Sequence, residues 1–523
     1  MSSKPTVATK KRVLIVNAYL DDARRPTRRP TTVLKAMGPV VLAGAFARER
    51  CEVRLWDEQS SGPLEDPAVL GWPDMLVLTG LTAAFDRFLH LSAYARSRNP
   101  AVVVVAGGPA IRALPDFSRQ FFDWCCHGDV EEMLDVVTTV FGADHADPEM
   151  VPRYDLAYWL KSFGHVESTR YCNFACTFCS LTGERRKYVR YDLAALRRQI
   201  EAGGRRRFLL FIDNNFYGND RQHFLARLEL IGDMHRQGWF GGFGALVTSD
   251  FFLREDNLEL ARAAGCEVLF CGLESFDAGS LDRFHKAQNK VLPQVELIRN
   301  CLEHGILLVY GLIADVSSRS LASIRDELEF VTSCTEITLP SFVVLPIPFP
   351  GTPFFRDLAQ AGRLLPGTRL RDLDGTTLCL QPMDPIDEVG EFVRDLQSLR
   401  GYRRNVMRHA VGFAKRYRRT LNARQLLVAL ARDMALSGLP SLVRAGAAPL
   451  RAVLGRRDLV RTHVSTTEKI DRLYTPAFPV HARFRSWFEP TTIVDVQGRL
   501  VPELASQLLG SSPQSKALRD VGA

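Results

Sequence analysis

No stretch of this chain stays apolar for the roughly eighteen residues that a membrane-crossing helix needs. The N-terminus, MSSKPTVATKKRVLIV, carries basic residues, but its apolar run is only a strand's length and no small-residue cleavage site follows. Neither a spanning helix nor an export signal is therefore expected, and the cytoplasm, where thiols stay reduced, is the expected compartment. Internal repeats and low-complexity tracts are absent too, so nothing points to a repeat array. Nor, apart from the adjacent Cys125 and Cys126, which cannot easily serve one metal together, is there a second close pair of cysteines to complete an ordinary structural zinc site or an electron-transfer iron–sulfur centre, both of which normally take four ligands.

What is present suits a soluble globular protein: 523 residues, 46% hydrophobic and 24% charged, enough for two or three domains. The formal charge of +8 is uneven. Between Gly401 and Val460 thirteen Arg or Lys face two Asp or Glu, a local net of +11, so the remainder is slightly acidic. Cys51, Cys125, Cys126, Cys266, Cys271, Cys301, Cys334 and Cys379 are scattered among apolar neighbours and read as small buried hydrophobes.

From Arg12 to about Asp144, short apolar runs (RVLIVNA, CEVRLWD, DMLVLTG, AVVVVAGG, FDWCCHG) alternate with helical periodicity. That alternation predicts a doubly wound, Rossmann-like (flavodoxin-like) α/β domain over residues 10–145, with ligands beyond the carboxyl ends of its strands. Those ends are Asn17 to Asp22, Thr79 to Thr82, Gly107 to Pro109 and His127 to Asp129. Gly80, Thr82, Gly107 and Gly108 could let a ligand approach the backbone, or could be turn glycines and a helix cap. Asp144 to Tyr158, rich in Pro and acidic residues, reads as a linker.

A second alternation starts near His165, with strands HVESTR, RFLLFIDNN, GFGALVTSD, CEVLFCGLES, GILLVYGLIAD and EITLPSFVVLPIP. Strand-then-helix units in succession predict a partial (β/α)6 barrel over residues 160–385, with its chemistry at the carboxyl mouth. Beyond Pro385 the strand signal stops, and residues 386–523 read as a helical C-terminal region, broken at Gly438-Leu439-Pro440 and Pro449, with a frayed end GSSPQSKALRDVGA.

Within the loop after the first barrel strand lies YCNFACTFCS, with Cys172, Cys176 and Cys179. Three thiolates on a four-iron cluster would leave one iron open to an outside ligand, which a catalyst needs and a staple does not. Zinc and chance spacing are the other readings.

At these residues the chain resembles the radical S-adenosylmethionine (SAM) superfamily, whose signature is three cysteines spaced as in CNFACTFC. The resemblance implies a [4Fe-4S] cluster on Cys172, Cys176 and Cys179, with the open iron chelating SAM. Reductive cleavage of SAM there yields a 5′-deoxyadenosyl radical, so an external electron donor is required. Phe178 matches the aromatic usual before the last cysteine, beside the adenine; a core aromatic is the alternative. FIDNNF ends the second strand with Asp213, Asn214 and Asn215 where relatives bind the methionine group, although the usual glycine pair and acid are missing. Glu274 in GLES looks like the contact to the ribose hydroxyls, and a carboxylate after CEVLFC needs a partner or a ligand. KAQN (Lys286 to Asn289) and PIPFPGTP (Pro346 to Pro353) resemble further family segments. YGLIADVSS lacks the usual glycine-rich turn.

RVLIVNAYL, PVVLAGAFARERCEVRLWDEQ, TGLTAAFDR and VVVVAGGPA look like the cobalamin-binding domain that precedes the barrel in one large subclass. Many of its members methylate unreactive carbons of small molecules, some of them isoprenoid lipids or tetrapyrroles, through methylcobalamin. The resemblance implies cobalamin near Gly80, Thr82, Gly107 and Gly108. The Asp-x-His-x-x-Gly signature of several cobalamin enzymes is absent, with no histidine between Asn17 and Thr32. A radical cyclisation, oxidation or rearrangement without cobalamin, and a non-catalytic metal-stapled binding protein, are the competing functions.

RRNVMRHAVGFAKRYRRTLNARQLLVALARDMA alternates basic and apolar positions at helical spacing. Such helices could lie on an anionic membrane surface or cover the barrel with arginines in water. Nucleic acid is disfavoured, since no aromatic-rich single-strand platform accompanies the charge.

Overall fold

The computed structural model describes residues 9–20, 35–160, 163–184, 186–218, 220–290, 292–396, 399–436 and 472–510. Its front half is a parallel sheet of five strands: β1 (Lys11–Asn17), β2 (Cys51–Asp57), β3 (Met75–Thr79), β4 (Val103–Gly107) and β5 (Trp124–Cys126). Their order, β2-β1-β3-β4-β5, is that of a flavodoxin-like doubly wound fold, with the reversal between β1 and β3. Alternate residues serve opposite faces: Leu14 and Val16 pack with helix α1 (Phe85–Arg98), and Val13 and Ile15 with α2 (Glu132–Phe141). Both faces are covered, which explains why the strands read as unbroken apolar runs.

The second sheet starts with β6 (Phe163–Val166). A two-stranded antiparallel ladder, β7 (Thr169–Arg170) with β8 (Val189–Arg190), closes the neck of the cysteine loop. Within that loop the short helix α3 (Ser180–Glu184) follows Cys179. Then come α4 (Leu193–Gly203), β9 (Phe208–Phe211), α5 (Arg221–Arg236), β10 (Phe243–Val247), α6 (Asn257–Ala263), β11 (Cys266–Glu274), α7 (Gln294–Glu303), β12 (Leu307–Ile313), α8 (Leu321–Ser333) and β13 (Phe342–Val344). The strands β6-β9-β10-β11-β12-β13 neighbour one another in chain order and run parallel, the winding of a barrel left open at its edges.

Beyond the barrel, α9 (Arg403–Tyr417) and α10 (Ala423–Leu436) pack at the amino ends of the strands. His409 Nε2 lies 2.8 Å from the Ile337 carbonyl, Tyr417 donates to the Glu336 carbonyl at 2.6 Å, and Gln425 Nε2 donates to Glu267 and Gly305 carbonyls at 2.8 Å each. The expected breaks at Gly438 to Pro440 and Pro449 lie outside the described residues, as does the chain end after Gly510.

Arg472 to Gly510 departs from the expected helical extension. It returns to the front domain as a strap of short turns, with one two-turn helix at Pro502–Leu508. The reason lies in α1, which is buried from Phe85 to Ala95, including Asp86 and His90. Asp86 accepts from Tyr474 Oη and from the Thr491 N–H at 3.2 Å, and the Phe488 ring stacks on His90 at 4.6 Å. A helix buried on every side, with polar Asp86 and His90 among its buried residues, needs a second cover, and the strap supplies it. Among the described residues no helix is long and apolar enough to cross a membrane. Cys51, Cys266, Cys271, Cys301 and Cys379 are buried as expected, whereas Cys125, Cys126 and Cys334 are only half-buried.

Candidate active site

The cysteine loop is tied at its base by Asp213. Its oxygens accept the Ser168 N–H at 2.7 Å and the Ser168 hydroxyl, and Arg227 of α5 lies 3.6 Å away. Both charged groups are buried, and burial pushes the Asp213 carboxyl up even against Arg227. The expected role of Asp213 is a contact to SAM. Fully buried between Ser168 and Arg227, Asp213 joins β9 to the chain leaving β6.

Of its neighbours, Asn214 is exposed and Asn215 is buried. Asn214 Oδ1 accepts the Tyr171 N–H at 3.1 Å, holding Tyr171 at a φ of +64°, a conformation that bulky residues rarely adopt. Asn215 Nδ2 donates to Asn173 Oδ1 at 2.7 Å, inside the cysteine loop. Asn215 Oδ1 is buried with no partner, an acceptor suited to a ligand ammonium.

Cys176 and Cys179 stand one helical turn apart, with the Cys179 N–H on the Cys176 carbonyl at 3.2 Å, and this turn leads into α3. The Cys176 sulfur has an N–H donor, Gln288 Nε2 at 3.4 Å. Burial, then the neighbouring sulfurs, pushes the Cys172 thiol up to about 11. A bare Cys172 thiol would stay protonated at neutral pH, so bound cationic metal is what would hold it as a thiolate. Among the described residues no three His, Cys, Asp or Glu side chains are grouped as a single-ion site. Three thiolates would hold three irons of a cubane and leave the fourth open, and Gln288 offers an N–H to the Cys176 sulfur.

Glu274 closes the site from β11. A register shift between Cys271 and Glu274, with a φ of +66° at Glu274, turns the side chain at the strand end. Lys286 Nζ donates to Glu274 Oε1 and to the Gly272 carbonyl, each at 2.7 Å, so this lysine is a buried partner and not a solvated one. Burial works against the ammonium, but Glu274 together with Cys176 and Cys271 outweighs it and the Lys286 pKa is raised. Asn289 Nδ2 donates to the Gly272 and Leu273 carbonyls at 2.8 and 2.9 Å, and Ser249 Oγ donates to Asn289 Oδ1 at 2.8 Å. KAQN therefore clamps the GLES backbone. Phe178 is half-buried, 4.9 Å from the Phe284 ring and with Lys286 Nζ 6.0 Å from its centroid. After β12, where the glycine-rich turn is missing, Asp315 organises the turn by accepting from Ser317 and Ser318.

The front domain meets this loop directly. Arg112 pairs with Glu184 of α3, Arg186 donates to the His127 carbonyl, Tyr171 Oη donates to Asp129, and Arg170 pairs with Glu131 at 3.0 Å. Between the two runs a cleft lined by Thr82, Pro109 and His127 on one side and Gly183 and Arg186 on the other, its floor enclosing ≈ 80 Å³. A pocket of ≈ 380 Å³ lies against Tyr171, Cys172, Asn173 and Phe174. Gly80 and Gly108 are explained by packing. A Cβ on Gly80 would stand 2.7 Å from the Ala18 carbonyl oxygen, and one on Gly108, at φ +109°, 2.9 Å from that of Gly80. Gly107 has only an ordinary 3.4 Å neighbour in Cys126 Cβ, and Thr82 is buried. Two further features fit a large, part-apolar ring. Leu81 is 72% exposed at the β3 end, and His127 Nδ1 is buried without a partner.

Reasoning from sequence missed Tyr171, Asn173, Ser249, Gln288 and His127. Each lay inside a segment that stood out, Tyr171 and Asn173 in the cysteine loop, Gln288 in KAQN, Ser249 and His127 at strand ends, but nothing along the chain tells which partner each side chain meets.

Residues 166–317 match the model of the Radical SAM superfamily. The chain is 25% identical over 350 residues to the hopanoid C-2 methylase of Rhodopseudomonas palustris (strain TIE-1), covering 63% of this chain and 65% of that protein, just under two thirds of its length. It is 22% identical over 352 residues to the bacteriochlorophyllide d C-12(1)-methyltransferase of Chlorobaculum tepidum, covering 62% of this chain and 74% of that one. Among solved structures it is similar to OxsB, a cobalamin-dependent SAM radical enzyme with aqua-cobalamin and SAM bound (TM-score 0.56, 15% identity, 98% of this chain and 80% of that one). It is also similar to the methyltransferase TsrM of Kitasatospora setae with cobalamin and a [4Fe-4S] cluster bound (TM-score 0.52, 17% identity, 69% and 77%). At these identities the structural likeness shows the fold.

Proposed function

Because this chain belongs to the radical SAM superfamily, carrying a [4Fe-4S] cluster and SAM behind a cobalamin-binding-like front domain, we propose that it methylates an unactivated carbon of a small molecule with cobalamin as methyl carrier. The observation that carries this reading is the seating of the cysteine loop between the front-sheet strand ends and the barrel mouth, fixed by Arg112–Glu184 and Tyr171–Asp129. Bound cluster and SAM supply radical chemistry, and cobalamin supplies the methyl group.

The chain's own groups bind and orient. Cys172, Cys176 and Cys179 ligate the cluster, and Asn215 Oδ1 receives the SAM ammonium. Glu274, charge-balanced by Lys286, takes the ribose hydroxyls, and Phe178 flanks the adenine. Thr82, Leu81 and His127 line the cobalamin side. We divide the chain into a front domain (10–145), a barrel (160–385) and a C-terminal region (386–523). We infer an apolar, lipid-like or tetrapyrrole substrate from the two methylases it resembles, and an external one-electron donor. The free cysteines support a reducing, cytoplasmic setting.

A second reading drops cobalamin, because backbone packing alone accounts for Gly80 and Gly108. Anaerobic reconstitution with cobalamin, SAM and a reductant separates the two. Methylation is expected to yield 5′-deoxyadenosine, bound corrin and a product heavier by one methylene. Deoxyadenosine without corrin binding would move the assignment to cyclisation, oxidation or rearrangement. Neither product from a cluster-loaded protein would return it to a metal-stapled binding protein.

A further inference from the structure

The helical pair α9–α10 has one face committed and one face open. Val406, His409, Ala410, Phe413 and Tyr417 of α9 are buried toward the barrel, with Leu421 and Gln425. Along the opposite side of α9 and just past its end, Arg404, Arg408, Lys415, Arg418 and Arg419 are exposed, and none makes an ion pair among the described residues. Between them stand Met407, 40% exposed, and Val411, 69% exposed; α10 adds Leu427 at 67% and Val428 at 54%. The acids nearby are engaged: Glu336 pairs with Arg416 at 3.2 Å, Glu267 with Arg424 at 3.2 Å, and Asp433 is buried beside His409. Solvent therefore sees a face of cations interleaved with bare aliphatic side chains.

We infer that this outer face of α9–α10 docks the protein on an anionic lipid membrane. Cations at that density attract acidic headgroups, and Val411, Leu427 and Val428 can enter the acyl boundary between them. A nucleic acid is the weaker match, because single strands are held by aromatic stacking, and the aromatics of α9, Phe413 and Tyr417, are buried. The face lies at the amino ends of the barrel strands, away from the thiols, so docking there leaves the mouth unobstructed. The inference stands independently of methylation.

The test is sedimentation of the full chain with vesicles, either phosphatidylcholine alone or an equal mixture with phosphatidylglycerol. Binding to the mixed vesicles should exceed that to phosphatidylcholine by at least about tenfold and weaken as salt is raised. Replacing Arg404, Arg408 and Lys415 together by Gln should weaken it by roughly a hundredfold. Val411→Asp should weaken it by about tenfold. These positions are exposed, and unchanged thermal unfolding of the variants would confirm intact folds. Equal binding to both vesicles, or no loss in the triple variant, overturns the proposal. So does tight binding to an RNA homopolymer by a protein that ignores vesicles.

Discussion

The two parallel sheets place their special residues at the same ends of their strands, yet use opposite chemistry there. In the front sheet the rim is made of glycines fitted against carbonyls, Gly80 on Ala18 and Gly108 on Gly80, so backbone sterics set the shape. In the barrel the rim is made of side chains, and Asn215 Oδ1, Glu274 and the thiols set charge and donor pattern. The difference follows from winding. The front order reverses between β1 and β3, opening a crevice whose walls must pack closely, whereas the barrel strands follow in sequence and aim their ends at a common mouth.

The comparison breaks most completely if the barrel rim is not the reacting end. Cys176→Ala should reduce 5′-deoxyadenosine release, followed by chromatography of quenched anaerobic reactions, to background. Retained turnover would remove the thiols from the chemistry.

Next in size is the support under that rim. Arg227→Met leaves the buried Asp213 carboxylate without its cation, a change expected to cost about 3–5 kcal/mol in denaturant unfolding. Asp213→Asn in the same chain should recover part of the loss. If Arg227→Met alone is silent, Asp213 is not the anchor its contacts describe.

On the front rim, Gly108→Ala should cost about 2 kcal/mol of stability, since both its φ and the Gly80 carbonyl oppose a Cβ. SAM cleavage should persist in the folded fraction. Loss of cleavage with stability intact would show the front glycines to be chemical and not steric.

The smallest effect should come from Glu274→Gln, which keeps shape and removes charge. SAM affinity, read from the perturbed spectrum of the reduced cluster, should fall about tenfold, the equivalent of one charge-assisted hydrogen bond. An unchanged affinity would leave Glu274 as the structural partner of Lys286 alone.

Much of this architecture could be read from the linear order of residues. The alternation of apolar strands with periodic helices announced both sheets, and the spacing of Cys172, Cys176 and Cys179 announced the metal chemistry. Glu274 stood out as a carboxylate ending an apolar run. Asp213 looked equally available, and only the arrival of Arg227 and Ser168 shows it to be occupied. The strap was illegible for a similar reason: Thr491 answers to Asp86 only because α1 needed a cover.

What the sequence by itself determined is local: which segments extend or coil, and which three sulfurs lie near enough along the chain to share one cluster. Tertiary structure alone decided which polar groups are already satisfied and which remain open, as with Asp213 against Asn215. A hydrogen bond depends on distance in space, and its partner can lie anywhere along the chain.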